Sequence, residues 1–265
     1  MSRTPATFTP SLIALDVDGT LVDGDNNMTP AVRETVRAAA DSGVRVVVST
    51  GRSTPGVMNA ANLLGFENGI AVASNGSVVF EYSPVDIVHT VTFDARNAVK
   101  LLLEHVPDAA VAVEEVGVGF RINKPFPDGE INGKMTVQTI EELVAEPVTR
   151  VIIRSPESSA EEFAELAGSI GLVGTNYFVG YTAWLDLAPE GVSKASGLEF
   201  VCERLGIARE EVLAIGDGHN DVEMLRWAGR GVAMGQAPLD VQTAADDVTE
   251  TLANDGVVVE LSRYL

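Results

Sequence analysis

The chain holds 265 residues, 46% of them hydrophobic, with 38 acidic residues against 18 basic ones and a formal net charge of −20. That apolar share excludes a disordered protein, and the acidity argues against nucleic acid and anionic membrane surfaces as partners. One cysteine, Cys202, excludes an internal disulfide framework, and no stretch approaches the ~18 consecutive apolar residues of a membrane span. Residues Met1–Pro10 lack a basic-then-apolar leader pattern. The expectation is a cytoplasmic protein, monomer or homodimer.

In chain order, the first element is the apolar run Leu12-Ile13-Ala14-Leu15. A continuous run without polar alternation suits a parallel strand covered on both faces. It ends directly in Asp16-Val17-Asp18-Gly19-Thr20, two carboxylates beside a tight turn. Crowding charge there is costly unless a cation or a reaction needs it. Thr29-Pro30 opens a helix to about Asp41, and Val44–Val48 is a second buried strand leading into Ser49-Thr50-Gly51-Arg52. A helix over Thr54–Leu64 and a strand over Ile70–Ala73 follow, the latter ending in Ser74-Asn75-Gly76, an ordinary hairpin turn in composition.

Between Thr50 and Lys194 lie 143 residues, far more than a crossover of a dozen or so needs. The stretch reads as mixed α/β. Strands are predicted at Val85–Thr92, Ala109–Glu114, Arg150–Arg154, Leu172–Thr175 and Tyr177–Leu187, and helices near Ala95–His105, Ile140–Ala145 and Ser159–Ser169. Ser83-Pro84 and Ala188-Pro189-Glu190-Gly191 punctuate its ends as hinges. The predicted division is therefore a core of residues 1–84 and 188–265 with an inserted domain at 85–187. Within the insert, the irregular segment Gly117 to Lys134 carries Arg121, Lys124 and Lys134 among Gly and Pro, either a solvated loop or one that reaches a polar substrate from the cap.

Past the insert, Ser193 can cap a helix whose apolar face is Leu198, Val201, Cys202 and Leu205. Lys194 then falls in the first turn, where the helix dipole disfavours a cation unless an anion sits opposite. Val212–Ile215 is a third apolar run, and it ends in Gly216-Asp217-Gly218-His219-Asn220-Asp221. In open α/β sheets ligands bind outside the carboxyl ends of the strands, so three strands deliver Asp16, Asp18, Thr50 and Asp217 to one edge. The fold class is α/β: a doubly wound, Rossmann-like parallel sheet core with an inserted α/β cap.

These four segments resemble, in order, the motifs of the haloacid dehalogenase-like (HAD) phosphatase superfamily, and the Thr50-Gly51-Arg52 and Gly191-Val192-Ser193-Lys194 forms resemble its Cof-type branch with a large α/β cap. The resemblance implies a phosphomonoester hydrolase acting on a small phosphorylated metabolite such as a sugar phosphate. It makes Asp16 the nucleophile and Asp18 the general acid/base. Thr50 and Lys194 would hold phosphoryl oxygens, with Val17, Gly51 and Asn220 also at the phosphate. Mg²⁺ would sit on Asp16, the Asp18 main-chain carbonyl and Asp217, with Asp221 in support. Ala195-Ser196 and His219 depart from common forms of the motifs without removing a functional group.

The charges agree with a metal. Ionised Asp16, Asp18, Asp217 and Asp221 outnumber Lys194 by three, and hard oxygen donors without a Cys or His cluster favour Mg²⁺ over zinc. A phosphohexomutase-like phosphotransferase shares the same first half-reaction, and a non-enzymatic phosphosugar-binding protein could use the same pocket. Hydrolysis is the simplest outcome, because water needs no second sugar-binding pose.

Overall fold

The computed structural model describes residues 8–155, 159–169, 175–179 and 184–265. The chain begins with β1 (Leu12–Leu15), α1 (Pro30–Asp41), β2 (Arg45–Ser49), α2 (Thr54–Leu64), β3 (Gly69–Ala73), β4 (Val78–Tyr82) and β5 (Asp86–Thr90). Then come α3 (Arg96–His105), β6 (Ala110–Glu115), β7 (Gly119–Ile122), β8 (Lys134–Val137), α4 (Ile140–Leu143), β9 (Val151–Arg154), α5 (Ala160–Ser169), β10 (Thr175–Val179) and β11 (Trp184–Pro189). The last part holds α6 (Lys194–Leu205), β12 (Val212–Gly216), α7 (Val222–Trp227), β13 (Arg230–Ala233), α8 (Leu239–Ala244), β14 (Asp247–Val248) and α9 (Gly256–Leu261).

The larger sheet has the order β14-β13-β12-β1-β2-β3-β4-β5. Pairing is parallel from β14 to β3 and antiparallel for β4 and β5. Alternation along β1 feeds two cores at once: Ile13 and Leu15 pack on the α1, α2 and α9 side, Leu12 and Ala14 on the α6 and α7 side. That is why the central strands read as unbroken apolar runs. The order of strands along the sheet reverses at β1, which leads to β2 on one side and pairs with β12 on the other, both parallel to it. The crevice beyond its carboxyl end is the topological switch point.

The second sheet, order β10-β11-β9-β6-β7-β8, buries one face against its helices through Val99, Leu102, Val111, Ile153 and Leu187. Its other face carries Ala112, Phe120, Ile122 and Ile152 and closes over the switch point of the larger sheet.

Three expectations are corrected here. β5 belongs to the larger sheet and not to the insert: it pairs with β4, Ile87 and Val88 pack into the core on either face, and His89 stacks on Phe200 of α6 at 4.4 Å. The proposed boundary at 84/85, with its Ser83-Pro84 hinge, thus falls inside a core hairpin, and the chain crosses to the second sheet at residues 91–95. The single strand expected over Tyr177–Leu187 is the hairpin of β10 and β11, antiparallel with Tyr177 opposite Leu187. The segment from Gly117 to Lys134 is not wholly irregular, because β7 lies within it and β8 starts at its end. Of the strand expected at Leu172–Thr175, all but Thr175 lies outside the described residues.

Candidate active site

Asp16 is the first residue past β1, its N–H donating to the Ile215 carbonyl of β12 at 3.0 Å. Lys194, fully buried at the start of α6, donates to Asp16 Oδ1 and Asp221 Oδ1, each at 2.6 Å. The anion that a cation in that first turn requires is therefore a pair of carboxylates. The helix start differs from expectation in one detail: the Ser193 side chain does not cap, and instead Ser196 Oγ accepts the Ser193 N–H at 3.0 Å.

Asp221 is braced from both ends. Its second oxygen accepts the N–H groups of Asp217 and Gly218 at 3.0 and 2.9 Å, so it fixes the turn after β12 as well as anchoring Lys194. Carboxylate oxygens of Asp16, Asp217 and Asp221 lie within 4.8 Å of one another. Burial, and then Asp221, hold the Asp16 carboxyl well above the usual carboxylate range, against the opposing pull of Lys194. The same two causes push Asp217 up to about 6. Burial works against the Lys194 ammonium, yet Asp16 and Asp221 outweigh it and hold the group above the ordinary lysine range. Close glycines permit this crowding: a Cβ on Gly19, where φ is +79°, would lie 2.1 Å from Asp217 Oδ2.

The Asp18 carboxylate stands apart from this cluster. Arg52 grips it in two-pronged fashion, Nε to Oδ2 at 2.9 Å and Nη2 to Oδ1 at 2.6 Å. Arg52 closes the second motif, and sequence reasoning left open whether it makes an ion pair or faces substrate; here it makes the ion pair. With Asp18 so neutralised, the buried excess falls to two negative charges, Asp16, Asp217 and Asp221 against Lys194, which matches one divalent cation. Together with the hard, buried oxygen donors, this fits Mg²⁺.

Thr50 is buried, and its Oγ1 accepts the Arg52 N–H at 3.2 Å, leaving the hydroxyl proton free to donate. The N–H groups of Val17, Asp18 and Gly51 meet no acceptor among the described residues, and Asp18 and Gly51 line the same cleft as Asp16. Asn220 Nδ2 donates to Asn75 Oδ1 at 2.9 Å, and the turn residue Asn75 is thereby part of the site wall. His219 pairs with Asp240 at 3.0 Å. Gln236 lacked any motif that could have revealed it; its Nε2 donates to the Gly19 carbonyl at 2.6 Å and faces Asp217 Oδ2 at 3.5 Å.

A cleft of about 1130 Å³ joins this cluster to the inner face of the second sheet. Arg121, Lys124 and Lys134, the candidates for reaching into it, do not line it. Strand alternation explains the first: Phe120 faces the cleft and Arg121 the other side, toward the Glu142 carbonyl of α4 at 3.5 Å. Lys124 bonds the Asp108 carbonyl, and Lys134 is exposed. From the second sheet, Arg150 does line the cleft, paired with Asp186. Polar links join the two sheets' territories: Ser74 Oγ donates to Glu114 Oε2 at 2.6 Å, and Asn176 Nδ2 to the Val192 carbonyl at 3.0 Å.

Comparison with known proteins agrees with this geometry. The family model for haloacid dehalogenase-like hydrolases matches residues 13–261. A phosphoglycolate phosphatase of Natronomonas pharaonis is 30% identical over 95% of this chain and 96% of its own. The 5-amino-6-(5-phospho-D-ribitylamino)uracil phosphatase YcsE of Bacillus subtilis is 28% identical over 96% of this chain and 95% of its own. Among solved structures, a HAD-superfamily phosphatase from Bacteroides thetaiotaomicron superposes with a TM-score of 0.79 at 25% identity, over 98% of this chain and 96% of that one. The chain belongs to the haloacid dehalogenase-like hydrolases, as an enzyme of their Cof-type phosphatase branch.

Proposed function

We propose that the protein hydrolyses small phosphate monoesters through a phosphorylated Asp16. The observation that carries this reading is the state of that carboxylate. Lys194 occupies Oδ1, Oδ2 has no donor among the described residues, and the N–H groups of Val17 and Asp18 next along the chain, with that of Gly51 lining the same cleft, are without an acceptor there. A phosphoryl group placed there meets a nucleophile and a cradle of donors, and positioning with charge stabilisation is most of what phosphoryl transfer needs.

Asp16 Oδ2 attacks phosphorus and the bond from phosphorus to the ester oxygen breaks. Asp18, protonated once substrate binds and therefore no longer held by Arg52 as a carboxylate, gives its proton to the leaving alcohol. It then takes a proton from the water that attacks the acyl phosphate, and Asp16 is released as a carboxylate. Thr50 Oγ1 and the third N–H of Lys194 bind equatorial oxygens, and Asn220, steadied by Asn75, borders them. Asp16 and Asp217 would hold Mg²⁺, with the Asp18 carbonyl, and Asp221 keeps both in place through Lys194 and the 217–218 backbone. When bound, the cation supplies the positive charge that phosphate and two carboxylates together require. The relatives named for phosphoglycolate and for a phosphoribityl compound support a small phosphorylated metabolite as substrate.

The test is hydrolysis of p-nitrophenyl phosphate. Turnover should vanish with chelator, return with Mg²⁺, and fall by several orders of magnitude in Asp16→Asn. In Asp18→Asn the loss should be ~10²–10⁴-fold, and quenched protein should carry phosphate on the peptide containing Asp16. Substantial turnover by Asp16→Asn, with no phosphopeptide in any variant, refutes the covalent route.

A further inference from the structure

The roof of the cleft is one face of the second sheet, and its charges are already matched. Residues directly opposite in antiparallel strands share a face. Asp186, Ile152 and Ala112 stand opposite one another in turn, and Arg150 and Arg154, two residues either side of Ile152, lie on the same face. Both arginines are held in ion pairs. Arg150 Nε and Nη2 donate to Asp186 at 2.7 and 2.8 Å, and Arg154 Nε lies 3.0 Å from Glu130. The other basic side chains of this domain do not line the cleft: Arg96 pairs with Asp94, Arg121, Lys124 and Lys134 are placed as above, and Lys100 is exposed on α3. The undescribed stretches 156–158, 170–174 and 180–183 contain no Lys, Arg or His. On the floor, Arg52 is matched by Asp18 and Lys194 by Asp16 and Asp221. The exposed carboxylates of Glu161 and Glu223 also border the cleft.

One phosphate is provided for at the floor, and a second anion would meet no spare cation above it. The roof offers something else. Arg150 Nη1 keeps two N–H donors without a partner among the described residues, and the Asp186 oxygens beside it keep acceptor lone pairs. Donor next to acceptor is what a hydroxyl group uses. Phe120, Phe178 and Trp184 supply apolar surface around the pair. Resting on the phosphatase reading, we propose that Arg150 and Asp186 form a specificity-determining pair that binds hydroxyls of an uncharged, polyhydroxylated leaving group, and that substrates bearing a second anion are rejected. On this point the chain parts from its relative named for phosphoglycolate, a compound with a carboxylate beside the ester.

The experiment compares kcat/KM, with Mg²⁺, for glucitol 6-phosphate, 2-phosphoglycolate and fructose 1,6-bisphosphate, each divided by the value for p-nitrophenyl phosphate. The natural protein should favour glucitol 6-phosphate over both anionic esters by about tenfold or more. Asp186→Asn removes the two-pronged partner of Arg150 and leaves it only the attraction of the buried Glu114, and the ratio of phosphoglycolate to glucitol 6-phosphate should rise by about tenfold. The double variant Arg150→Met/Asp186→Leu removes both charges, a change that buried pairs often tolerate in folding. It should lose the preference for glucitol 6-phosphate without gaining on phosphoglycolate. Equal use of all three esters by the natural protein, or ratios unmoved in the double variant, overturns the assignment. Absence of p-nitrophenyl phosphate turnover in the natural protein instead removes the phosphatase reading, and this assignment with it.

Discussion

At the scale of single residues, the site is a problem in charge balance, and Asp217 shows it most directly. Its carboxyl is lifted to about 6 by burial and by Asp221, against an ordinary value near 4. A raised acid binds its proton more tightly folded than unfolded. Its contribution to metal-free stability is therefore fully present below the ordinary value and is lost as pH rises through about 6. The amount is on the order of 2 kcal/mol. Metal-free wild type should lose melting temperature relative to Asp217→Asn between pH 5 and pH 7.5, and Mg²⁺ affinity should weaken below pH 6 as protons compete for the carboxylate. A difference between the two proteins that is flat with pH removes the premise.

Arg52 makes the complementary point. Its fork takes both oxygens of Asp18, whose side chain is 62% exposed, so the pair adds little to stability and much to aim. Arg52→Gln should cost up to ~10²-fold in turnover, the penalty of a misplaced catalytic group, while the melting curve stays within a degree or two of wild type. Asp16, Asp18, Thr50, Lys194, Asp217 and Asp221 were legible because each sits beside an apolar run that declares where its strand or helix begins or ends. Arg52, Gln236 and Arg150 were not: their partners, Asp18, Gly19 and Asp186, lie 34, 217 and 36 positions away in the chain, and no periodicity encodes such pairings.

At the scale of elements, turns hold the site together. The hairpin turn after β3 packs on the start of α6 so closely that a Cβ on Gly76, where φ is +101°, would lie 2.0 Å from the Ser193 carbonyl oxygen. Backbone cannot yield as a side chain can. Gly76→Ala should destabilise by at least about 3 kcal/mol, roughly 10 °C in melting temperature, and should displace Lys194. Gly24→Ala, with no atom within 4 Å of the added carbon, should stay within about 0.5 kcal/mol. Calorimetry on both variants decides. The elements read from apolar runs and caps were right to within a residue or two, but β4, β7 and β13, buried strands as well, were not foreseen. The break between β10 and β11 was missed, because the sequence from Tyr177 to Leu187 stays rich in strand-forming side chains straight through it. β5 was given to the wrong sheet, because which sheet a strand joins is settled by its neighbours, here Tyr82's strand and Phe200, and not by its own residues.

For the whole molecule, two sheets meet across a cleft whose floor gathers the buried carboxylates of Asp16, Asp217 and Asp221 around Lys194, a group that could hold a metal ion. Binding to the native state alone stabilises by mass action, about 2.7 kcal/mol at a hundredfold excess over Kd. The melting temperature should therefore climb with log[Mg²⁺] in wild type and stay nearly level in Asp217→Asn. A thermal-shift titration reads both.

The pairing of β1 with β12 carries a consequence for biosynthesis. Leu12 sits opposite Val212 and Leu15 opposite Ile215, so a central strand of the larger sheet waits for a neighbour made about two hundred positions later. Until then one edge of an entirely apolar strand is unpaired on the nascent chain, the condition that invites association with other chains. The second sheet, encoded wholly within that interval, can be complete before the edge is closed. Asp16 leaves the ribosome 178 positions ahead of the lysine that pairs with it, so a chain cut between the two holds Asp16 without that counter-charge.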